Sequence, residues 1–395
     1  MENFRTRRYK IGALILKRNF FAILVLILTM LIMVSCGENS ESKENQSTTE
    51  KSEQSDPVET ELKKLTLTEK IGQMIMMGIY GFDVDDDSSW MLHQYHCGGI
   101  ILFDRNMDTK SQVKQLVENL QNKSEEKVPL FIAIDEEGGR VARMKSEIDP
   151  PPAQEEIGNS GDPESAKIWA EKISKELKSL GINVNFAPVA DVGSPDTRSF
   201  SNDAATVATF VDSAANGYES ENFIYCLKHF PGIGKRLTDP HQEISSVDVS
   251  RDILDKEDLL PFKSIIDKHS PDKFMVMVSH LKYPAIDQEN AATLSYNVMT
   301  NLLRNELGYK GIIITDDLEM GAVSNHNSFK DIGVNAVKAG ADILLICHDY
   351  AHEQEVYLGI LEAVQKGEIS EERINESVRR ILKVKLENLQ DDKSN

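Results

Sequence analysis

The chain has 395 residues, 40% of them hydrophobic and 27% charged, with a formal net charge of −20. That apolar content supports one large core or two ordinary ones, and α/β barrels of this length are common as single domains. The sequence has no HExxH motif, Walker loop or GxGxxG, which argues against a zinc peptidase, a P-loop nucleotidase or a dinucleotide enzyme.

The first segment reads as a targeting signal. Arg5, Arg7, Arg8, Lys10, Lys17 and Arg18 precede an apolar run from Phe20 to Val34, and the chain turns polar at once after Ser35 and Cys36. At 15 residues the run is short for a spanning helix. Cys36 directly after Met33-Val34-Ser35 resembles a bacterial lipoprotein cleavage box, although Leu is more usual where Met33 stands. The expectation is a signal peptide over residues 1–35 and a lipidated Cys36, giving an exported protein anchored in a membrane. An uncleaved anchor helix is the alternative. Removing residues 1–35 takes six basic residues from 44 and one acidic residue from 64, which leaves 38 against 63, a net −25. So acidic a body is repelled by nucleic acid and by an anionic bilayer, so membrane contact would come from the lipid.

Residues 36–57 are almost wholly polar and read as a flexible tether, because they cannot bury enough surface to offset their ordering entropy. From about Val58 onward, apolar runs alternate with helical stretches. The runs are Gln73–Ile79, Gly99–Phe103, Leu130–Ile134, Ile182–Val189, Phe223–His229, Phe274–Ser279, Gly311–Thr315 and Asp342–Cys347. Continuous apolar runs suit parallel strands covered on both faces. Val113, Leu116, Val117 and Leu120 form one helical stripe. Ala166, Trp169, Ile173, Leu177 and Leu180 form another, with Asp162 as N-cap, Pro163 at its first position and Gly181 as its stop. Ile374, Val378, Ile381 and Lys385 repeat the period in a last helix entered through Ser370, with the Lys385 stem only at the stripe's edge. Eight runs alternating with helices predict a (β/α)8 TIM-type barrel over residues 58–390; a doubly wound open sheet is the runner-up. The remaining cysteines, Cys97, Cys226 and Cys347, show no metal spacing, and Cys226 and Cys347 read as buried free thiols. No metal or cofactor is expected.

In such a barrel, functional residues follow the strands at their C-terminal ends. The third run is followed by Asp135-Glu136-Glu137-Gly138-Gly139-Arg140-Val141-Ala142-Arg143, carboxylates and arginines suited to sugar hydroxyls, with glycines that allow close approach. Glu136 or Glu137 taken alone reads as part of a salt-bridged polar loop. The fourth run leads to Asp191 and then Arg198-Ser199-Phe200, a weak signal by itself. The fifth ends in Lys228-His229-Phe230-Pro231-Gly232-Ile233-Gly234 and continues to Asp239-Pro240-His241, where an aspartate two residues from a histidine can orient it for proton transfer. The seventh ends in Asp316-Asp317; strand alternation lets only one of the two face the axis easily.

These elements, in this order, resemble the family-3 glycoside hydrolases of the β-N-acetylglucosaminidase type. The matched segments are Asp135–Arg143, Asn185–Asp191, Arg198–Phe200, Lys228–Gly232, Asp239-x-His241 and Thr315–Leu318. The resemblance implies that Asp316 is a nucleophile forming a covalent glycosyl intermediate with retention. It implies that His241, oriented by Asp239, is the general acid/base. It also implies that Asp135, Arg143, Arg198, Lys228 and His229 bind the sugar at the nonreducing end. The chain departs from the family at Gly232-Ile233-Gly234-Lys235-Arg236, where Gly-His-Gly-Asp-Thr is usual, and the stretch from Asp191 to Arg198 is short. The expected protein is an exo-acting β-N-acetylhexosaminidase on N-acetylglucosamine-containing cell-wall or chitin-type glycans, without a second domain, and a monomer. A glycosidase for another β-sugar, a phosphate-using relative and a non-catalytic sugar-binding lipoprotein are the alternatives.

Overall fold

The computed structural model describes residues 56–124, 128–194, 196–236, 245–325 and 327–389. The expected signal segment, Cys36 and most of the polar tether lie outside the described residues, as do Asp239 and His241. Among the described residues no helix is long and apolar enough to cross a membrane.

All eight apolar runs become strands of one closed parallel barrel, so the open-sheet alternative falls away. In chain order the barrel strands are β1 (Ile75–Gly78), β2 (Gly99–Leu102), β3 (Phe131–Ile134), β4 (Val184–Asn185), β5 (Ile224–Phe230), β6 (Phe274–Val278), β9 (Ile312–Asp317) and β10 (Ile343–Ile346). Around the barrel they run β1-β10-β9-β6-β5-β4-β3-β2. Between β6 and β9 the chain makes a small antiparallel hairpin, β7 (Lys282–Tyr283) with β8 (Asp287–Ala291). The hairpin was not expected, because its second strand is polar and largely exposed and carries no apolar run. β4 is shorter than the apolar stretch around it. Pro188 cannot donate to a ladder, and the Asn185 side chain bonds the backbone of Glu136 on both sides, accepting at 2.9 Å and donating at 3.0 Å.

Helices cover the barrel through their apolar stripes. The helix Glu164–Ser179 buries Ala166, Ala170, Ile173, Ser174 and Leu177. Pro163 stands just before its first residue, and the Asp162 carboxylate accepts from the Glu164 amide at 3.1 Å. Past its end, Gly181 takes a left-handed φ of 82°, and a Cβ there would meet Val117 at 2.7 Å.

The final helix, Glu371–Asn388, is capped by Ser370, which accepts from the Arg373 amide at 3.1 Å. Its Lys385 corrects the expected edge position: the side chain is fully buried. Its ammonium donates to Gln73 Oε1 and to the Gly98 carbonyl, each at 2.8 Å, and lies 4.9 Å from the Phe131 ring centroid. A buried lysine is tolerable only with such acceptors. It holds the N-terminal end of the barrel, below β1, β2 and β3.

Candidate active site

Two strands lose register at their C-terminal ends. β5 pairs with β6 at Leu227↔Val276 and again at Phe230↔Val278, so one extra β5 residue is accommodated there. β9 does the same against β10, between Ile314↔Ile343 and Asp317↔Leu345. Such bulges bend a strand and re-aim side chains. They fall at Lys228-His229 and at Thr315-Asp316, where the motifs placed the chemistry.

The β3, β4 and β5 ends form one buried ionic cluster. Lys228 Nζ lies 2.6 Å from Asp135 Oδ1 and 2.6 Å from Glu137 Oε1. Arg198 grips Glu137 bidentately, both contacts at 2.8 Å. Arg143 reaches Asp135 at 3.4 Å and Asp104 at 3.1 Å. His229 Nδ1 lies 2.8 Å from Asp191 Oδ2, and its Nε2 lies 3.3 Å from Arg198 Nη2. Asp191 Oδ1 also accepts the His229 and Ile233 amides at 3.1 and 2.9 Å, fixing the start of the following loop. Gly138 and Gly139 take φ of 96° and 56°, which turns the chain so that Arg143 comes back over Asp135.

Electrostatics within the cluster follow from this pairing. Burial pushes the Glu137 carboxyl up, but Lys228 and Arg198 outweigh it and hold the group well below the usual carboxylate range. Burial likewise lowers Lys228, and Asp135 with Glu137 more than restore it. Glu136 is different. Burial raises it to about 7 against the Arg143 amide and charge. Its Oε2 accepts from that amide at 2.9 Å, while its Oε1, like Arg143 Nε, is buried without a hydrogen-bond partner among the described residues.

Asp316 faces this cluster from β9. Burial pushes its carboxyl up, but His229, His280, the Asp317 amide and Lys228 together hold it below the ordinary value. The Asp317 amide donates to Asp316 Oδ1 at 2.9 Å. Asp317 turns elsewhere, its Oδ2 lying 3.3 Å from His348 Nε2 at the β10 end. The two neighbours therefore part as strand alternation requires.

The five expected sugar-binding residues (Asp135, Arg143, Arg198, Lys228 and His229) thus converge on one end of the barrel, facing Asp316. Asp239 and His241 lie outside the described residues. The stem of their loop is placed: Lys235 pairs with the buried Asp258 at 2.6 Å and with Glu257 at 2.9 Å, and Arg236 with Asp196 at 3.3 Å. The residues that depart from the family pattern therefore tie this loop to its neighbours.

Sequence reasoning underrated Glu137, which reads as one acid among three yet is the shared partner of Lys228 and Arg198. It missed His280, buried just past β6, whose ring nitrogens contact Thr293 Oγ1 at 2.8 Å and the Asp317 carbonyl at 2.6 Å. Its position directly after a strand run was the available signal. Asp317, Cys347 and His348 bring metal-type donor atoms within 4.8 Å of one another. The Arg105 guanidinium sits 3.2 Å from His348 Nδ1, a fixed cation that opposes a metal there.

A closed parallel barrel with paired strand-end acids, arginines and a Lys-His step defines a sugar-hydrolase scaffold, and the comparisons agree. Residues 66–384 match the glycosyl hydrolase family 3 N-terminal domain. The chain belongs to that family. It is 36% identical to beta-hexosaminidase A of Pseudoalteromonas piscicida over 331 residues, 75% of this chain and 54% of that protein. It is 32% identical to a beta-hexosaminidase of Nitrosomonas eutropha over 286 residues, 70% of this chain and 80% of that protein. Among solved structures, a family 3 beta-N-acetylglucosaminidase from Paenibacillus superposes with a TM-score of 0.79 at 39% identity, over 82% of this chain and 63% of that one. The chain thus spans about half the length of the first of these relatives and most of the second.

Proposed function

We propose that this protein is an exo-acting, retaining β-N-acetylhexosaminidase that releases terminal N-acetylglucosamine from cell-wall or chitin-type fragments. The observation that carries the reading is Asp316. It is an ionised carboxylate at a bulged strand end, held below its ordinary pKa by His229, His280, the Asp317 amide and Lys228 despite burial. An ionised carboxylate facing a cluster of hydroxyl-binding charges is equipped to attack an anomeric carbon and form a glycosyl ester. The hexosaminidase names of the relatives point the same way.

In this reading Asp135, Lys228, Arg143, Arg198 and His229 hold the nonreducing sugar. Asp135 and Lys228 offer acceptor and donor to its hydroxyls, and Glu137 keeps Lys228 and Arg198 charged and in place. Asp239 and His241 supply the proton to the leaving oxygen and later take one from water. The protein is exported and held to a membrane through a lipid on Cys36, and Cys36→Ala then frees it; retention of that variant at the membrane would instead indicate an uncleaved anchor.

The test of the activity is hydrolysis of a panel of aryl β-glycosides with and without the 2-acetamido group. The expected result is turnover of the N-acetylglucosaminide above all others, lost in Asp316→Ala. No turnover of any glycoside by the wild type would leave a sugar-binding protein instead, and equal turnover by wild type and Asp316→Ala would remove Asp316 from the chemistry.

A further inference from the structure

The mouth of the barrel has two unlike halves. Asp316 lies on β9; going one way round come β6, β5, β4 and β3, and going the other come β10, β1 and β2. The first half carries the ionic cluster at the ends of β3, β4 and β5. The second half is aromatic. Tyr80 and Phe82, just past β1, are 49% and 53% exposed. Phe103 follows β2, and His348 and Tyr350 follow β10.

Tyr80, Tyr350, Phe103 and His348 hold one another in place. Tyr80 donates its hydroxyl to the His348 carbonyl at 2.6 Å and packs edge-on against Tyr350 with centroids 4.8 Å apart. Phe103 lies 5.4 Å from the His348 ring. The Arg105 and Arg143 guanidiniums sit over Phe103, at 4.6 and 5.4 Å from its centroid. The wall also joins both sides of the site. Arg143 bonds Asp135 at 3.4 Å, and His348 contacts Asp317 at 3.3 Å, one residue from Asp316. A lone exposed aromatic on a protein surface needs no explanation. Two half-exposed rings two positions apart, one of them clamped by its hydroxyl and an edge contact, at the rim of the site, form an amphipathic platform. Rigid rings of this kind bind the C–H face of a pyranose at little entropic cost.

We infer that the Tyr80–Phe82 rim, backed by Phe103 and His348, is the leaving-group subsite, where the second sugar of the glycan stacks while the first lies in the ionic cluster. This rests on the hexosaminidase reading, and it adds the class of leaving group the site prefers: a pyranose over a small or charged group.

The experiment compares two donors that deliver the same sugar. One is N,N′-diacetylchitobiose, which fills both halves; the other is N-acetylglucosaminyl fluoride, whose leaving group is too small to reach the rim. In Tyr80→Ala the ratio of kcat/KM for the disaccharide to that for the fluoride is expected to fall about fivefold, and further in Tyr80→Ala/Phe82→Ala. Tyr80→Phe keeps the ring and should hold the ratio within about twofold of wild type. Equal losses on both donors, or an unchanged ratio in the double variant, overturn the subsite. A wild-type protein that turns over neither donor refutes the hexosaminidase reading itself, a separate outcome.

Discussion

At the N-terminal end of the barrel Asp342 is completely buried, and every oxygen it has is used. Arg304 and the Ile313 amide donate to Oδ2, the latter at 2.9 Å, and Ser377 and Arg380 donate to Oδ1 at 2.7 and 2.9 Å. At the C-terminal end Asp316 is only partly buried, and among the described residues it accepts one hydrogen bond, from its neighbour's amide at 2.9 Å. Nearby, Glu136 Oε1 and Arg143 Nε have none. Both carboxylates are held below their ordinary pKa against burial, Asp342 by Arg304, Arg380 and Arg373, and Asp316 by His229, His280, the Asp317 amide and Lys228. The first set of donors closes on its acid. The second leaves lone pairs of Asp316 free of described partners. One end spends its charges on holding strands, and the other keeps capacity for a ligand, which is the division expected of this architecture.

Exchanging the two aspartates' fates is the sharpest way to break that comparison. Asp316→Asn should cost about 10³-fold or more in kcat while thermal unfolding moves by no more than about 2 °C. Asp342→Ala should do the reverse, losing about 3–5 kcal/mol of stability by leaving Arg304 and Arg380 without their partner, while the folded fraction keeps its kcat. Denaturant titration and active-site-normalised rates read both. A large loss of stability in Asp316→Asn would mean that the two ends do not differ in kind.

Glu137 belongs to both descriptions, since it is buried like Asp342 but pairs with Lys228 and Arg198, the cations proposed to hold the sugar. Glu137→Gln should lower stability by about 3 kcal/mol and kcat/KM by about 10²-fold together. A change in one without the other would assign the residue to a single role.

Glu136 gives the smallest effect and a pH signature. Its folded pKa of about 7 exceeds its ordinary 4.5, so the folded state holds the proton more tightly than the unfolded chain. Stability from this group is therefore greatest at low pH, declines as pH rises from about 4.5 through about 7, and stays lower above that, by about 3 kcal/mol in all. Glu136→Gln should flatten that slope and be the more stable form at pH 8. Melting curves at pH 5 and pH 8 that shift equally in wild type and variant would contradict it.

The eight barrel strands were readable from the chain because parallel strands buried on both faces must be apolar throughout, and so were the strand-end motifs. What escaped depended on contacts that periodicity does not encode. The β7–β8 hairpin is polar. Lys385 lies on an apolar stripe, and only the fold shows Gln73 and Gly98 waiting to receive its ammonium. Glu137 looked like surface charge because its two cations come from Arg198 and Lys228, far along the chain. Asp342 opened an apolar run whose partners lie near 304 and 380. The aromatic rim is drawn from loops that the barrel alone brings together.

The claim at the centre of this account is that the underused carboxylate at the C-terminal end, Asp316, forms a covalent bond to the sugar. It is tested most directly by incubating the protein with a fluorinated N-acetylglucosaminyl donor that glycosylates quickly and hydrolyses slowly, then measuring intact mass and mapping the adduct by peptide fragmentation. The account predicts one added sugar per chain, on Asp316, and none in Asp316→Asn. Turnover without any adduct, or an adduct carried by another residue, would contradict it.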